Sequence, residues 1–425
     1  MSKFSQHFKM NEADIIEYVK YKKLFESEEE LNCKEIGDGN INYVFRVVNP
    51  ITQKSVIVKH SDILLRSSGR LLSTDRNRIE AEVLMLHNKL APAYVPDIYL
   101  YDPVMCCIVM QDLSEYQNMR YALIEQQSFA TFADDITTFI AQAIIRTTDN
   151  VIGPIDKKEY VKSFINPELC QISEKLVFTD PYTNYYKTNI PLEENFEFFE
   201  QELYKDTALC IEAAKLKENF KSNAQALIHG DLHTGSIFVK EGATMVLDPE
   251  FAFYGPVGYD VGNVIANLIF AWVRAYITAK DRVDEQQFFS WVQGTVVDVV
   301  DLFYQKSVKI LEEEATEPMV QIQGYVQWYM ANIMADTAGF TGTELIRRII
   351  GDAKVKDIAG IEDINQRKVA ERLCVLCAKE FILNRENKYQ YGKDYVDTIY
   401  QVLAKEVSDE TRDKREAAAH SKEML

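Results

Sequence analysis

Two aspartates, Asp231 and Asp248, carry the densest chemistry in this chain. They lie 17 positions apart in Leu227-Ile228-His229-Gly230-Asp231-Leu232-His233-Thr234-Gly235-Ser236-Ile237-Phe238-Val239 and Met245-Val246-Leu247-Asp248-Pro249-Glu250. An apolar strand runs into a tight loop at Asp231, a second short strand returns, and a third ends at Asp248, which brings both carboxylates to one place. Phosphoryl transfer needs such a pair: one carboxylate accepts the proton of the attacking hydroxyl, another holds the magnesium that bridges the phosphates of ATP. Asp231 fits the first role and Asp248 the second. Five positions after Asp231 the kinase pattern has a metal-binding asparagine, and here stands Ser236, a poor ligand for magnesium. Glu250 can supply the missing oxygen, because in an extended Asp248-Pro249-Glu250 alternate side chains share one face. The plainer alternatives are a polar turn or a His-x-Asp-x-His metal cluster of His229, Asp231 and His233. A zinc site would want further His or Cys ligands, and the chain offers few.

The segments upstream read as the elements that would hold ATP over these carboxylates. After an amphipathic stretch at 11–25, Glu35-Ile36-Gly37-Asp38-Gly39-Asn40-Ile41-Asn42-Tyr43-Val44-Phe45-Arg46-Val47 reads as strand, glycine turn, strand. Gly37 and Gly39 permit backbone close to a phosphate, and Ser55-Val56-Ile57-Val58-Lys59 adds a strand ending in a lysine suited to the α- and β-phosphates. Alone, a Gly-x-Gly is a weak signal and a strand lysine is commonly an edge residue. Here the two occur in order ahead of Asp231. The stripe Ile79, Val83, Leu86, Leu90 predicts a helix over 76–90 that offers Glu80 or Glu82 as the partner of Lys59. Glu80 is preferred from its spacing to Val83-Leu84, while a solvated helix face accounts for either residue alone.

Strands at 96–101 and 105–110 complete a five-stranded N-terminal sheet. Met110-Gln111-Asp112-Leu113 then reads as a hinge whose backbone can meet an adenine edge. Beyond about 118 the pattern turns helical, over 129–147, 195–221, 259–276, 286–313, 319–338, 370–384 and 392–407. The predicted architecture is α+β and two-lobed like a protein kinase: a small antiparallel β lobe over 1–113 and a large, mainly helical catalytic lobe over 114–407. A charged, frayed tail covers 408–425.

Composition agrees with an enzyme acting on small molecules. The 425 residues are 47% hydrophobic and 26% charged, enough for two cores. A net charge of -18 argues against nucleic acid or an anionic membrane as partner. Seven cysteines without framework spacing imply reduced thiols and a cytoplasmic setting. Cys374 and Cys377 form a C-x-x-C of helical character, best read as a buried face. The apolar run 261–273 is too short to span a bilayer and is interrupted by Asn263 and Asn267, so it reads as a core helix. Residues 1–10 carry no apolar stretch of a secretory signal.

Taken together, the segment Glu35 to Phe45, the loop Leu227 to Phe238, Asp248-Pro249-Glu250-Phe251-Ala252-Phe253-Tyr254-Gly255-Pro256 and Glu344-Leu345-Ile346-Arg347-Arg348-Ile349-Ile350-Gly351 resemble the methylthioribose kinase family, in the aminoglycoside phosphotransferase and choline kinase branch of the protein-kinase-like fold. The resemblance implies ATP- and Mg2+-dependent phosphorylation of the 1-hydroxyl of 5-methylthioribose in methionine salvage, by a homodimer. It implies Asp231 as catalytic base and Asp248 and Glu250 as magnesium ligands. Lys59 and Asn40 become nucleotide contacts, Gln111, Asp112 and Leu113 the adenine hinge, and Arg347 and Arg348 contacts at the reacting end of the acceptor. The family's loop before the helix at 76 often carries a tryptophan that closes the site; Gly69 to Asp75 has none, so this chain departs from the family there. From the residues alone, Arg347 and Arg348 would be the wet side of a short helix opened by a Thr341/Glu344 capping box and ended by Gly351. The competing enzyme reading is an aminoglycoside or choline kinase of the same fold. A catalytically dead binding module would have lost Lys59, Asp231 or Asp248, and none is lost.

Overall fold

The computed structural model describes residues 2–36, 42–62, 72–279 and 283–406, with the side chains of 283–285 excepted. Gly37, Gly39 and Asn40, loop residues 69–71 and the tail from 407 lie outside the described residues. The fold is α+β, as the sequence predicts.

Asn11 opens the first helix, Glu12–Tyr21, with a reciprocal capping box to Asp14. Five strands follow, β1 (Asn32–Glu35), β2 (Tyr43–Val48), β3 (Ser55–His60), β4 (Ile98–Asp102) and β5 (Cys107–Met110), all antiparallel in the order β1-β2-β3-β5-β4. Alternation along β3 explains the position of its lysine. Val56 and Val58 face a core with Ile15, Tyr18 and Val19 of the first helix. The opposite face carries Ile57, packed with Ala81 of the helix Asp75–Leu90, and Lys59. Lys59 is therefore directed to the side from which Glu80 projects.

The remainder is mainly helical. Among the described residues its short strands are β6 (Gln117–Asn118), β7 (Ala226–Ile228), β8 (Ile237–Lys240), β9 (Ala243–Val246) and β10 (Phe253–Gly255). Asp231 lies between β7 and β8 and Asp248 between β9 and β10, but the pairing is β6-β8-β9 and β7-β10 rather than one continuous hairpin. The apolar run at 261–273 belongs to the buried helix Val257–Thr278, which is long and apolar enough to cross a membrane yet lies in the core with Asp260, Asn263 and Asn267 buried along it. It crosses the helix Tyr325–Ile350 at glycines: a Cβ on Gly258 would stand 2.6 Å from Thr337 N, and one on Gly262 2.7 Å from Thr341 N. Only glycine admits two backbones this close. Cys374 and Cys377 are fully buried on the helix Ile364–Leu383, and all seven cysteines are free thiols.

Three expectations are corrected. The helix expected over 195–221 is broken: a π-helical turn, Glu200–Tyr204, ends one piece and Asp206 caps the next, Thr207–Ser222, by accepting from Leu209 N. The helix expected over 319–338 starts later and runs further. Gly324, at φ +89°, separates a 3-10 turn at Pro318–Gln321 from Tyr325–Ile350. Arg347 and Arg348 thus stand in the last turn of a 26-residue helix, not on a short capped one. The Thr341 hydroxyl bonds back to Thr337 O instead of capping, because packing against the helix Val257–Thr278 carries the helix through its glycines. The stretch 149–192, for which no element is expected, contains the helices Pro154–Ser163 and Pro167–Leu176.

Candidate active site

The loop carrying Asp231 is held from behind. His229 N and Gly230 N donate to the buried carboxylate of Asp260 at 2.5 and 3.0 Å. Gly230 has φ +82°, and a Cβ there would lie 2.3 Å from Phe251 O, so no other residue fits. Both histidines are spent on the loop itself. His229 Nδ1 accepts from Asp231 N at 3.3 Å, so its Nε2 carries the hydrogen donated to Leu247 O at 2.9 Å. His233 Nδ1 accepts from Gly235 N at 2.9 Å, which leaves its Nε2 hydrogen facing Asp231 Oδ2 at 3.3 Å. Burial pushes His233 down to about 4, against the pull of Asp231, so it donates as a neutral ring. The His-x-Asp-x-His metal cluster is thereby excluded, and no group of three or more His, Cys, Asp or Glu among the described residues is arranged to hold a metal.

On one side of Asp231 lies a carboxylate-rich cluster around Lys59. Lys59 Nζ is 2.7 Å from Glu80 Oε1 and 2.6 Å from Asp248 Oδ1. The choice between glutamates is resolved, since Glu82 pairs with Arg78 at 2.7 Å on a solvated face. Burial opposes the charge of Lys59, but Asp248, Glu80 and Glu250 outweigh it and hold its pKa above the ordinary lysine value. Burial also raises Glu80 and Glu250, while Lys59 holds Asp248 below the ordinary carboxylate value despite its burial. Asp248-Pro249-Glu250 is not extended as expected: Asp248 has φ +65°, and Pro249–Phe251 forms a 3-10 turn. Glu250 nevertheless faces the same cavity as Asp248. It accepts from Asn42 Nδ2 at 3.0 Å, and Asn42 Oδ1 in turn accepts from the buried Arg76 at 3.2 Å. Asn166 pins the turn, donating to Glu250 O at 2.8 Å and Ala252 O at 3.1 Å. Ser236 points away, donating to Asp231 O at 3.3 Å.

Three carboxylates around one lysine and one arginine leave this cluster short of positive charge. Asp248 and Glu250 are the donors that fit magnesium, which characteristically takes one or two carboxylates and completes its shell with phosphate and water.

On the other side stands the twin arginine. Arg347 and Arg348 donate through their terminal nitrogens to Asp231 Oδ1 at 2.9 and 3.2 Å. Their Nε atoms both bond the fully buried Glu344, Arg348 at 2.9 Å. Burial favours the neutral form of Asp231, but His233, Arg348 and Arg347 prevail and hold its pKa well below the carboxylate range. The solvated-face alternative for these arginines is overturned.

Lys59, Asp231, Asp248, Glu250, Arg347 and Arg348 line one cavity of about 560 Å³. Glu80 lies behind Lys59, fully buried. Gln111, Asp112 and Leu113 do not line it, and the side chain of Asp112 is taken by Arg46 at 2.6 Å. Ser73, in the described part of the loop before the helix Asp75–Leu90, donates from its backbone N to Glu168 at 2.6 Å. The cavity also holds residues that carried no sequence signal: Arg120, Lys354 and Lys356, and the apolar Ile172 and Leu176 of the helix Pro167–Leu176.

A buried lysine–glutamate pair, a loop aspartate and a following carboxylate pair converging on one cavity define a phosphotransferase, and residues 178–293 match the model of the phosphotransferase enzyme family. Among curated relatives, the methylthioribose kinase of Geobacillus sp. (strain WCH70) is 39% identical over 367 residues, covering 85% of this chain and 88% of that one. The methylthioribose kinase of Erwinia tasmaniensis is 35% identical over 385 residues, covering 89% and 95%. That of Bacillus cereus (strain 03BB102) is 36% identical over 380 residues, covering 88% and 93%. The chain belongs to the methylthioribose kinase family.

Proposed function

We propose that this protein transfers the γ-phosphoryl group of ATP to the 1-hydroxyl of 5-methylthioribose, giving 5-methylthioribose 1-phosphate in methionine salvage, as a magnesium-dependent, cytoplasmic homodimer. Residues 1–113 serve as the nucleotide-binding lobe and 114–407 as the catalytic and acceptor-binding lobe, with Gln111 to Leu113 meeting the adenine through backbone and Gly37, Gly39 and Asn40 meeting the phosphates. The observation that carries the reading is Asp231 between the Lys59/Asp248/Glu250 cluster and the Arg347/Arg348 pair in one cavity, in a chain whose relatives bear that enzyme's name.

The chemistry follows from those positions. The acceptor hydroxyl gives its proton to Asp231 as its oxygen attacks the γ-phosphorus, the bond from phosphorus to the bridging oxygen breaks, and ADP leaves. Arg347 and Arg348 exchange Asp231 Oδ1 for the oxygens of the transferred group, which frees that oxygen to take the proton and places charge where the transition state accumulates it. Lys59, steadied by Glu80, holds the phosphates. Asp248 and Glu250 would hold magnesium, which when bound would supply neutralising charge for the phosphates. Arg120, Arg347, Arg348, Lys354 and Lys356 all line the cavity, so the acceptor is neutral rather than a cationic aminoglycoside or choline. ADP release by the purified protein against methylthioribose, ribose, choline and kanamycin tests this: methylthioribose is the turned-over acceptor, and preference for a cationic one refutes the assignment.

A further inference from the structure

The Glu344 carboxylate is fully buried, and no step of the phosphoryl-transfer scheme assigns it a role. It stands at positions i−3 and i−4 to Arg347 and Arg348 on one helix, so both side chains can reach it without distortion. Its two oxygens are divided between them: Arg347 Nε bonds Oε2, and Arg348 Nε bonds Oε1 at 2.9 Å. Asn267 Nδ2 adds a third bond to Oε1 at 3.3 Å. Asn267 Oδ1 meanwhile accepts from Thr234 of the Asp231 loop at 3.0 Å and from Arg120 at 3.3 Å. Glu344 thus ties the last turn of its helix to the Asp231 loop through the helix Val257–Thr278.

A guanidinium offers five donors in a rigid plane. Fixing each at its Nε leaves the terminal nitrogens as the end directed at the reacting atoms. Glu344, Asp231 and the two arginines together sum to zero charge, so the cluster is balanced while Asp231 is ionised. Remove the Glu344 carboxylate and two cations remain for one anion, Asp231, which they would hold more tightly. We infer that Glu344 is a positioning residue for phosphoryl transfer: it holds Arg347 and Arg348 by their Nε atoms so that their terminal nitrogens can pass from Asp231 to the transferred phosphoryl group.

This rests on Asp231 being the proton acceptor, and the experiment separates the two claims. Steady-state kinetics with ATP and methylthioribose are measured for the wild type, Glu344→Gln, Arg347→Ala and the double variant, with thermal unfolding alongside. A wild type without turnover defeats the kinase reading itself. Given wild-type turnover, Glu344→Gln lowers kcat by roughly 10- to 100-fold, the scale of a 1 Å misplacement. KM for ATP stays within about twofold because Lys59 and Asp248 are untouched. The double variant loses less than the product of the two single losses, since the carboxylate acts through Arg347 as well as Arg348 and the first of these routes is already gone. A merely structural role instead gives multiplicative losses, and that result overturns the inference, as does wild-type kcat in Glu344→Gln. Should the glutamine variant not fold, Glu344→Asp carries the same reading, because its shorter side chain keeps the charge but cannot hold both Nε atoms. Wild-type kcat there overturns the inference equally.

Discussion

Replacing Arg348 by alanine separates a working arginine from a surface one, because it should cost both activity and stability. The side chain is 8% exposed. It donates to Glu344 at 2.9 Å, to Asp231 at 3.2 Å and to Ala353 O at 3.4 Å. The first bond dominates by length and burial. Stripping one partner from a buried ion pair costs ~3–5 kcal/mol, and bonds to charged groups are worth ~1.5–3 kcal/mol each. Arg347 and Asn267 remain on Glu344, so the lower end applies, about 3 kcal/mol. With an unfolding entropy of about 2.1 cal/mol/K per residue, that lowers Tm by roughly 3 °C if the chain unfolds as one unit. The kinetic loss is larger in proportion: losing one preorganised donor to the transition state costs on the order of 10²-fold in kcat. Lysine recovers only part, since one ammonium cannot bridge Glu344 and Asp231 as a planar fork does. Circular dichroism melts and steady-state kinetics on the same preparations give both quantities. Wild-type Tm together with wild-type kcat/KM would refute the argument and return this helix end to the scaffold.

Glu250→Gln should raise the magnesium concentration needed for half-maximal rate, whereas Ser236→Ala should leave it unchanged, because Ser236 bonds the loop backbone; a magnesium titration showing the reverse order reassigns the metal site. Glu80→Gln should raise KM for ATP more than Glu82→Gln, which only loses a surface pair with Arg78, and equal effects in ATP-dependent kinetics would undo the Lys59–Glu80 assignment. Burial raises the pKa of Asp357 from 3.8 to about 6 despite Arg120, Arg274 and Arg348 nearby. The folded state therefore keeps a proton that the unfolded chain releases, and the stability this contributes is complete below about 4 and lost as pH rises through about 6. Urea denaturation midpoints should accordingly show the wild type's margin over Asp357→Asn shrinking between pH 4.5 and pH 7.5, and a constant margin contradicts the shift.

Local chemistry was legible where type and spacing coincide. Asp231, Asp248 and the strand lysine stand out by type and spacing, whereas the helical stripe of 76–90 leaves both Glu80 and Glu82 as partners of Lys59, and the packing of that helix on β3 selects Glu80. Glu250 lines the cavity beside Asp248 although the backbone there is not extended, because a left-handed Asp248 and a 3-10 turn replace the expected run. Tertiary packing was not legible. In the helix Tyr325–Ile350, Gly339 and Gly342 make room for Leu216 and Ile382, a tertiary contact with no local signature, and by sequence the arginines therefore read as the wet side of a separate short helix. Arg120, Lys354 and Lys356 are ordinary surface residues by sequence and become cavity residues only through the fold. The helix Pro167–Leu176 lies in a stretch where polar residues and prolines obscure any long period.

The central claim is that Asp231 accepts the proton of a sugar hydroxyl as that oxygen takes the γ-phosphoryl group. Its most direct test is phosphorus NMR of ATP, magnesium and methylthioribose incubated with the wild type and with Asp231→Asn, with ATP binding of the variant checked by calorimetry. The wild type should give a new sugar 1-phosphate resonance and ADP, and the variant, while still binding ATP, a rate lower by at least ~10². A sugar phosphate formed by Asp231→Asn at the wild-type rate, or phosphate appearing on another hydroxyl, would contradict it.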